Sequence, residues 1–314
     1  MFLIRVIEEN MSLNRFNVAV IGAGALGCAV LSGLSRLGFA SVRIVDGDIV
    51  QKRNLGNQPV FSDTDVEMGA FKADAAVKYF NSLSVSTAFI SFPFYVGDKR
   101  IHGVIEDTDL VIDLTDNLET RLVVNDACLK EKVPMLASSI RGKDGFFYLV
   151  DGRKACFNCI STNLSGNSAS ADCASISRED AESLAKPVVR HIISFFDGNV
   201  DTRFFSVDLK TGSMAGVAIN KDPSCDVCGS NKRAHTLKSG FIQMCGDGLK
   251  ISLQRDVDLS FLESKLTGFS VRRGDRDIIA TNGDKQLLVS GFGDILFTGF
   301  SRQEAEKLIS HVFS

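Results

Sequence analysis

Four cysteines fall into two pairs of identical spacing, Cys156-Phe157-Asn158-Cys159 and Cys225-Asp226-Val227-Cys228. Two thiolates three positions apart can reach one ion. Two such pairs complete a tetrahedral four-cysteine site, with Zn–S distances of about 2.3 Å and no open position. Four unrelated buried thiols, or a redox role for one pair, are the alternatives, and the doubled spacing favours a metal. With 65 residues between the pairs, a zinc ion would pin the start of the intervening Ser-rich stretch to the end of a sheet domain. Such a site is structural.

A second constellation suits a phosphate. The apolar run Val18 to Ile21 leads into Gly22, Gly24 and Gly27 at the G-x-G-x-x-G spacing, and a helical pattern follows. The first glycine allows a tight turn, the second lets a phosphate approach the backbone, and the third lets the helix lie close on the strand. Helix amides then face the anion. Asp46 ends the next strand, SVRIVD, nineteen residues beyond Gly27, where a carboxylate can accept hydrogen bonds from ribose hydroxyls.

Further polar residues fit a triphosphate as a set. Asp48 follows Asp46, Asn54 and Gln58 lie in the next loop, Lys72 begins a helix, and Asp116 closes the fourth strand pattern. A carboxylate beside phosphates is repulsive unless it holds a cation, so Asp116 reads as a ligand for Mg²⁺, which takes one or two carboxylates plus phosphate oxygens. Lys72 would neutralise the phosphates as a point charge. Taken singly, each has an ordinary reading: Lys72 as a solvated helix residue, Asp48 as a turn former, Asn54 as a loop residue.

The elements that must position these groups alternate. After the opening strand, helix and strand, a helix is expected from about Val66 to Phe80, capped by Thr64 or Asp65, then strands at STAFISF and TDLVIDLTD. A helix from about Leu118 to Lys130 should present Leu118, Leu122, Asn125 and Cys128 or Ala127 on one face, ahead of the strand VPMLASS. This predicts an α/β fold, a Rossmann-like, doubly wound and mostly parallel sheet with its ligand crevice at the carboxyl ends of the strands. The Ser-rich segment STNLSGNSASADCASIS reads as a mobile loop, and a helix is expected from about Asp180 to Phe196. Residues 1–234 are expected to form this nucleotide-binding domain with its zinc knuckles. Residues 235–314 should form a small α+β domain, with an Asn282-Gly283 turn and a final helix opened by a Ser301/Glu304 capping box. It carries no cluster of catalytic residue types, so contact with a partner is its expected role.

Composition narrows the function. A formal net charge of −3 leaves no basic footprint for nucleic acid. No stretch approaches the roughly 18 uninterrupted apolar residues of a membrane span, and MFLIRVIEEN does not read as a secretory signal. The cytoplasm is therefore the expected location, with the 8 cysteines as thiols or metal ligands.

The segments GAGALGC, VDGDIVQKRNLGNQ, Gly69 to Lys72 and VIDLTDNLETRLVVNDAC, with the two cysteine knuckles, resemble the ThiF/MoeB family of ubiquitin-activating-type adenylyltransferases over about residues 16 to 230. The resemblance implies ATP, Mg²⁺ and zinc as cofactors. It also implies adenylation of the C-terminal glycine of a small ubiquitin-like or sulfur-carrier protein ending in Gly-Gly, by a homodimer. By position, Asp46 would hold the ribose, Asn54 and Lys72 the phosphates, Gln58 the loop geometry and Asp116 the magnesium. Cys173 stands where some members carry a cysteine that accepts the activated glycine as a thioester. The family loop usually reads N-L-x-R-Q; here Asn57 replaces its arginine, and Arg53 is the nearby cation that could substitute. Arg5 and Arg15 are the arginines ahead of the first strand that could reach a partner subunit's nucleotide. Two other functions share these features: a degenerate nucleotide-binding scaffold or partner subunit, favoured by Asn57, and a NAD-dependent oxidoreductase, which shares the glycine turn and Asp46.

Overall fold

Strand β1 (Asn17–Ile21) pairs in parallel with β2 (Ser41–Val45) on one side and β4 (Leu110–Asp113) on the other. Successive strand residues point to opposite faces. Val18, Ala19, Val20 and Ile21 are all buried, so both faces of the sheet are covered here. In a computed structural model, the described residues are 12–83, 85–97, 100–164, 176–229, 242–243, 248–253, 255–274 and 276–313. The chain divides into two compact units, Met1–Thr236 and Leu237–Ser314.

The described strands of the first unit form one eight-stranded sheet in the order β3-β2-β1-β4-β5-β6-β7-β8. Strand β3 (Ala88–Phe92) and β5 (Met135–Arg141) extend the parallel part. A tight turn at Gly142, with φ of 62°, then reverses the chain, and β6 (Asp144–Val150), β7 (Phe204–Asp208) and β8 (Met214–Val217) are antiparallel. The winding changes direction between β1 and β4, and in such sheets the crevice beyond the carboxyl ends at that point takes the ligand. The core beneath it gathers Val18, Val20, Leu31, Ile44, Ile112 and Phe147 from the sheet and helix α1 (Ala25–Leu34), with Leu184 and Ile192 from α7 (Arg178–Phe196). Helices α1 and α7 meet closely at Gly33, where a Cβ would lie 2.7 Å from Val189 Cγ2.

Four local expectations need correction. The single helix expected over Val66 to Phe80 is two, α2 (Asp63–Met68) and α3 (Lys72–Ser82). Gly69 takes the left-handed conformation, φ 63°, at the end of α2 and stops it, and the cap is Ser62, whose hydroxyl accepts from Asp65 N. Strand β4 stops at Asp113, so Asp116 lies in the loop beyond it. Helix α5 (Leu118–Glu131) buries Arg121, Val124, Asn125 and Cys128, whereas Leu118 is exposed. The segment after Cys156 winds into α6 (Phe157–Leu164), which takes in the first residues of the expected Ser-rich loop. A short helix, α4 (Ile101–Ile105), links β3 to β4. Strand β8 gave no sequence signal, because every residue in it is exposed and no alternation marks it.

In the second unit, the described strands form a six-stranded antiparallel sheet, ordered β11-β12-β13-β14-β10-β9. They are β9 (Ile242–Gln243), β10 (Gly248–Ser252), β11 (Ser270–Arg273), β12 (Asp277–Asn282), β13 (Lys285–Ser290) and β14 (Asp294–Thr298). The β12–β13 hairpin turns at Gly283, φ 62°. Helices α8 (Leu259–Lys265) and α9 (Arg302–Phe313) supply Leu262, Ala305 and Val312 to its core beside Ile278, Leu287 and Phe297. The Ser301 and Glu304 cap is reciprocal, with Ser301 N donating to Glu304 Oε2 at 2.9 Å.

Candidate functional site

The glycine turn between β1 and α1 shows three different spatial demands. Gly22 has φ of 100°, and a Cβ there would lie 3.1 Å from Leu114 O, in the loop that carries Asp116. A Cβ on Gly27 would lie 2.1 Å from Gly22 O, so only glycine lets α1 sit down on the turn. At Gly24 the opposite holds, with nothing within 4 Å of a Cβ. The space above Gly24 is therefore open, and the first turn of α1 carries no side-chain cap and no acid. These are the conditions under which helix amides receive an anion.

Asp46 is tied to this turn. Its Oδ2 accepts from Ala23 N at 2.7 Å and its Oδ1 from Asp48 N at 2.8 Å. Burial lifts its carboxyl to about 6, with the Asp48 charge adding to the rise and Lys72 opposing it.

Lys72 opens α3, and the chain brings it to Asp48 through backbone pairing. Lys72 N donates to Asp48 O at 2.8 Å, Val50 N donates to Ala70 O at 2.8 Å, and Ile49 bridges Phe71. The side chain completes the link, with Nζ 2.8 Å from Asp48 Oδ2. Burial alone would lower the Lys72 pKa, but Asp48 and Asp46 outweigh it and hold the amine above its ordinary range, so it stays charged. Tyr95, just past β3, donates its hydroxyl to Asp48 Oδ1 at 2.5 Å.

The remaining phosphate-side residues divide. Asn54 is buried and its Oδ1 accepts from Gln51 N at 2.8 Å, so its carbonyl end already serves the loop. Gln58 is buried too, and its Oε1 has no hydrogen-bond partner among the described residues. Arg53 is exposed, in no ion pair among the described residues. Asp116 is also exposed, and its carboxylate makes no hydrogen bond among the described residues. Its loop is anchored by a neighbour the sequence reading passed over. Asp113 is buried; its Oδ1 accepts from Thr115 N at 2.9 Å and its Oδ2 from Arg121 Nε at 3.2 Å. Arg121 also donates to Thr115 O and to Ser138 O.

The four knuckle cysteines converge, with sulfurs all within 4.8 Å of one another. Cys156 lies 3.9 Å from Cys159 and 3.7 Å from Cys225, and Cys159 lies 3.4 Å from Cys228. A tetrahedron with metal–sulfur bonds of about 2.3 Å has edges of about 3.8 Å, so the cluster fits one ion. It is also joined to α5, since Asn125 Oδ1 accepts from Phe157 N at 2.9 Å and the Arg121 guanidinium lies over the Phe157 ring. Of the other thiols, Cys28 and Cys128 are buried. Arg5, Cys173 and Cys245 lie outside the described residues.

The ThiF family pattern matches residues 4–227. The chain belongs to the ThiF family. It is 28% identical over 311 residues to the sulfur carrier protein ThiS adenylyltransferase of Bacillus subtilis (strain 168), covering 95% of this chain and 93% of that one. To the SAMP-activating enzyme E1 of Haloferax volcanii it is 24% identical over 237 residues, covering 74% and 87% of the two chains. Among solved structures, E. coli MccB superimposes with a TM-score of 0.59 at 17% identity, over 75% of this chain and 70% of that one, which speaks for the fold alone. The B. subtilis match covers enough of this chain to run into its C-terminal unit, whereas the family pattern ends at residue 227. Among the described residues no helix is long and apolar enough to cross a membrane.

Three groups that matter to this geometry carried weak sequence signals. Asp113 and Arg121 look like an ordinary strand end and an ordinary helix cation until burial pairs them. Tyr95 sits in a segment with no regular pattern.

Proposed function

We propose that this chain is an ATP-dependent adenylyltransferase that activates the C-terminal glycine of a small ubiquitin-like or sulfur-carrier protein ending in Gly-Gly, working as a homodimer in the cytoplasm. The observation that carries the reading is the bond from Ala23 N to Asp46. That bond holds the Asp46 carboxylate, the proposed ribose acceptor, against the open glycine turn, with the Lys72 charge acting on both Asp46 and Asp48. The relatives' names supply the substrate class.

In the proposed reaction, Asp46 accepts hydrogen bonds from the ribose and the turn amides around Gly24 receive phosphate oxygens. Lys72 neutralises charge on the phosphates, and Asn54 and Gln58 hold the loop shape, with Arg53 as the exposed cation available in place of the family arginine at Asn57. The incoming carboxylate attacks the α-phosphorus, the bond to the bridging oxygen breaks, and pyrophosphate leaves with that electron pair. Catalysis is then positioning and charge neutralisation. Asp116 would be the carboxylate ligand of Mg²⁺, which would supply charge neutralisation at the phosphates. Zn²⁺ is the proposed ion for Cys156, Cys159, Cys225 and Cys228, with a structural role. In a following step the Cys173 thiolate would attack the acyl-adenylate carbonyl, expelling AMP and forming a thioester.

Asn57 keeps a second reading in view, a nucleotide-binding scaffold without turnover. Mass spectrometry of the small protein after incubation with the chain and MgATP separates the two. An AMP adduct on its C-terminus supports the enzyme, and nucleotide binding without any adduct supports the scaffold. A thiol-sensitive conjugate lost in Cys173→Ala and kept in Cys28→Ala supports the thioester step.

A further inference from the structure

Between Asp46 and Lys72 the chain places two carboxylates two residues apart and one buried ammonium that both attract. The lysine is joined to one of them, Asp48, at 2.8 Å, while Asp46 spends its oxygens on the backbone amides of Ala23 and Asp48. Something must hold Asp48 in the orientation that faces Lys72, and the Tyr95 hydroxyl, 2.5 Å from the opposite oxygen, is placed to do so. The fit around it is close. Gly47, between the two acids, lies so near that a Cβ would stand 2.6 Å from Tyr95 N and 2.7 Å from Tyr95 Cγ. Any larger residue at 47 would displace the tyrosine or the loop. The glycine is therefore the space that Tyr95 requires.

We propose that Tyr95 is a positioning residue of the ATP site: its hydroxyl fixes Asp48, and Asp48 in turn holds the Lys72 ammonium in place for the phosphates. This rests on the adenylyltransferase reading of the site. An ammonium has three donors, so the bond to Asp48 leaves two for phosphate oxygens. Arranging those donors before the nucleotide arrives spares the ordering of a long, flexible side chain on binding. Tyr95 acts through Asp48 and is assigned no contact with substrate.

The test is a double-mutant cycle on the full chain, using Tyr95→Phe, Asp48→Ala and the double variant, with two readouts. MgATP affinity is measured by calorimetry, and reactivity of the Lys72 amine toward acetic anhydride is followed by peptide mass spectrometry. Tyr95→Phe keeps the ring against Gly47 and removes only the donor. It should weaken MgATP binding about tenfold, as expected for loss of a hydrogen bond to a charged group, and speed Lys72 acylation. Both effects should vanish when Asp48 is already Ala, which leaves the hydroxyl no acceptor at that position. Equal effects in the two backgrounds would show that the Tyr95 hydroxyl acts other than through Asp48, and would overturn the inference. So would a Tyr95→Phe protein with wild-type affinity and wild-type Lys72 reactivity. If the wild-type chain itself fails to bind MgATP, the adenylyltransferase reading falls and the ATP-site role of Tyr95 falls with it.

Discussion

Arg121 and Asp113 form a buried ion pair, Nε to Oδ2 at 3.2 Å, with side-chain exposures of 6% and 0%. The pair joins the end of β4 to helix α5, and Arg121 also holds the Thr115 and Ser138 carbonyls and lies over Phe146 and Phe157. One side chain thus spans the loop that leads to Asp116 and the segment that leads out of the cysteine cluster. Removing one partner of a buried pair strands the other charge and costs about 3–5 kcal/mol. Arg121→Met should therefore lower the unfolding free energy measured in urea by that margin, with a lower midpoint. Arg121→Lys should recover only part of the loss, because an ammonium cannot reproduce the fork. An unchanged midpoint in Arg121→Met would show the pair to be energetically neutral.

Asp46 makes the site sensitive to pH. Its carboxyl is raised from 3.8 to about 6, so the protonated form is the one that folding favours. Its stabilising contribution is fully present below the unfolded value and is lost as pH rises through about 6. Nucleotide binding should run the other way, since only the ionised carboxylate accepts from both ribose hydroxyls and backbone amides. MgATP affinity should rise between pH 5 and 7, centred on about 6. Asp46→Asn should bind more weakly and lose that rise, and a pH-independent wild-type affinity would contradict the role given to Asp46.

Lys72 carries the positive charge nearest the two acids. Lys72→Met should reduce kcat/KM for adenylation by about a hundredfold, the scale seen when a preorganised charge-stabilising group is removed. It should also shift the pH dependence of any residual MgATP binding upward, because Lys72 holds the Asp46 carboxyl down. A midpoint that stays in place would separate Lys72 from Asp46.

The cysteine cluster should hold one zinc per chain. Structural zinc contributes on the order of 10 kcal/mol in zinc-finger peptides at neutral pH, so chelation should lower the melting temperature and added Zn²⁺ should restore it. Cys225→Ala should melt at the chelated temperature whether or not zinc is present. Metal analysis that finds no zinc in protein purified without chelator would remove the proposed metal.

Much of the sheet unit can be read in the sequence because its signals are local. Val18 to Ile21 is apolar without a break because both faces are covered, and Gly22, Gly24 and Gly27 differ from other residues only in lacking a Cβ, which is what the turn demands of two of them. The knuckles are legible because metal ligation constrains spacing. What cannot be read depends on burial across long sequence distances. Asp113 and Arg121 become a pair only when β4 and α5 enclose them, and Tyr95 meets Asp48 from 47 positions away. The break between α2 and α3 turns on the conformation of Gly69, a residue that a helical pattern also tolerates. Strand β8 is exposed along its whole length, so no hydrophobic alternation announces it.

The most direct measurement is ATP/pyrophosphate exchange with Mg²⁺, with and without a co-occurring small protein that ends in Gly-Gly. The account expects exchange that requires the small protein, is lost when its terminal glycine is deleted, and is abolished in Asp116→Ala. Absence of exchange with every such partner, from a folded and zinc-loaded chain, would contradict it.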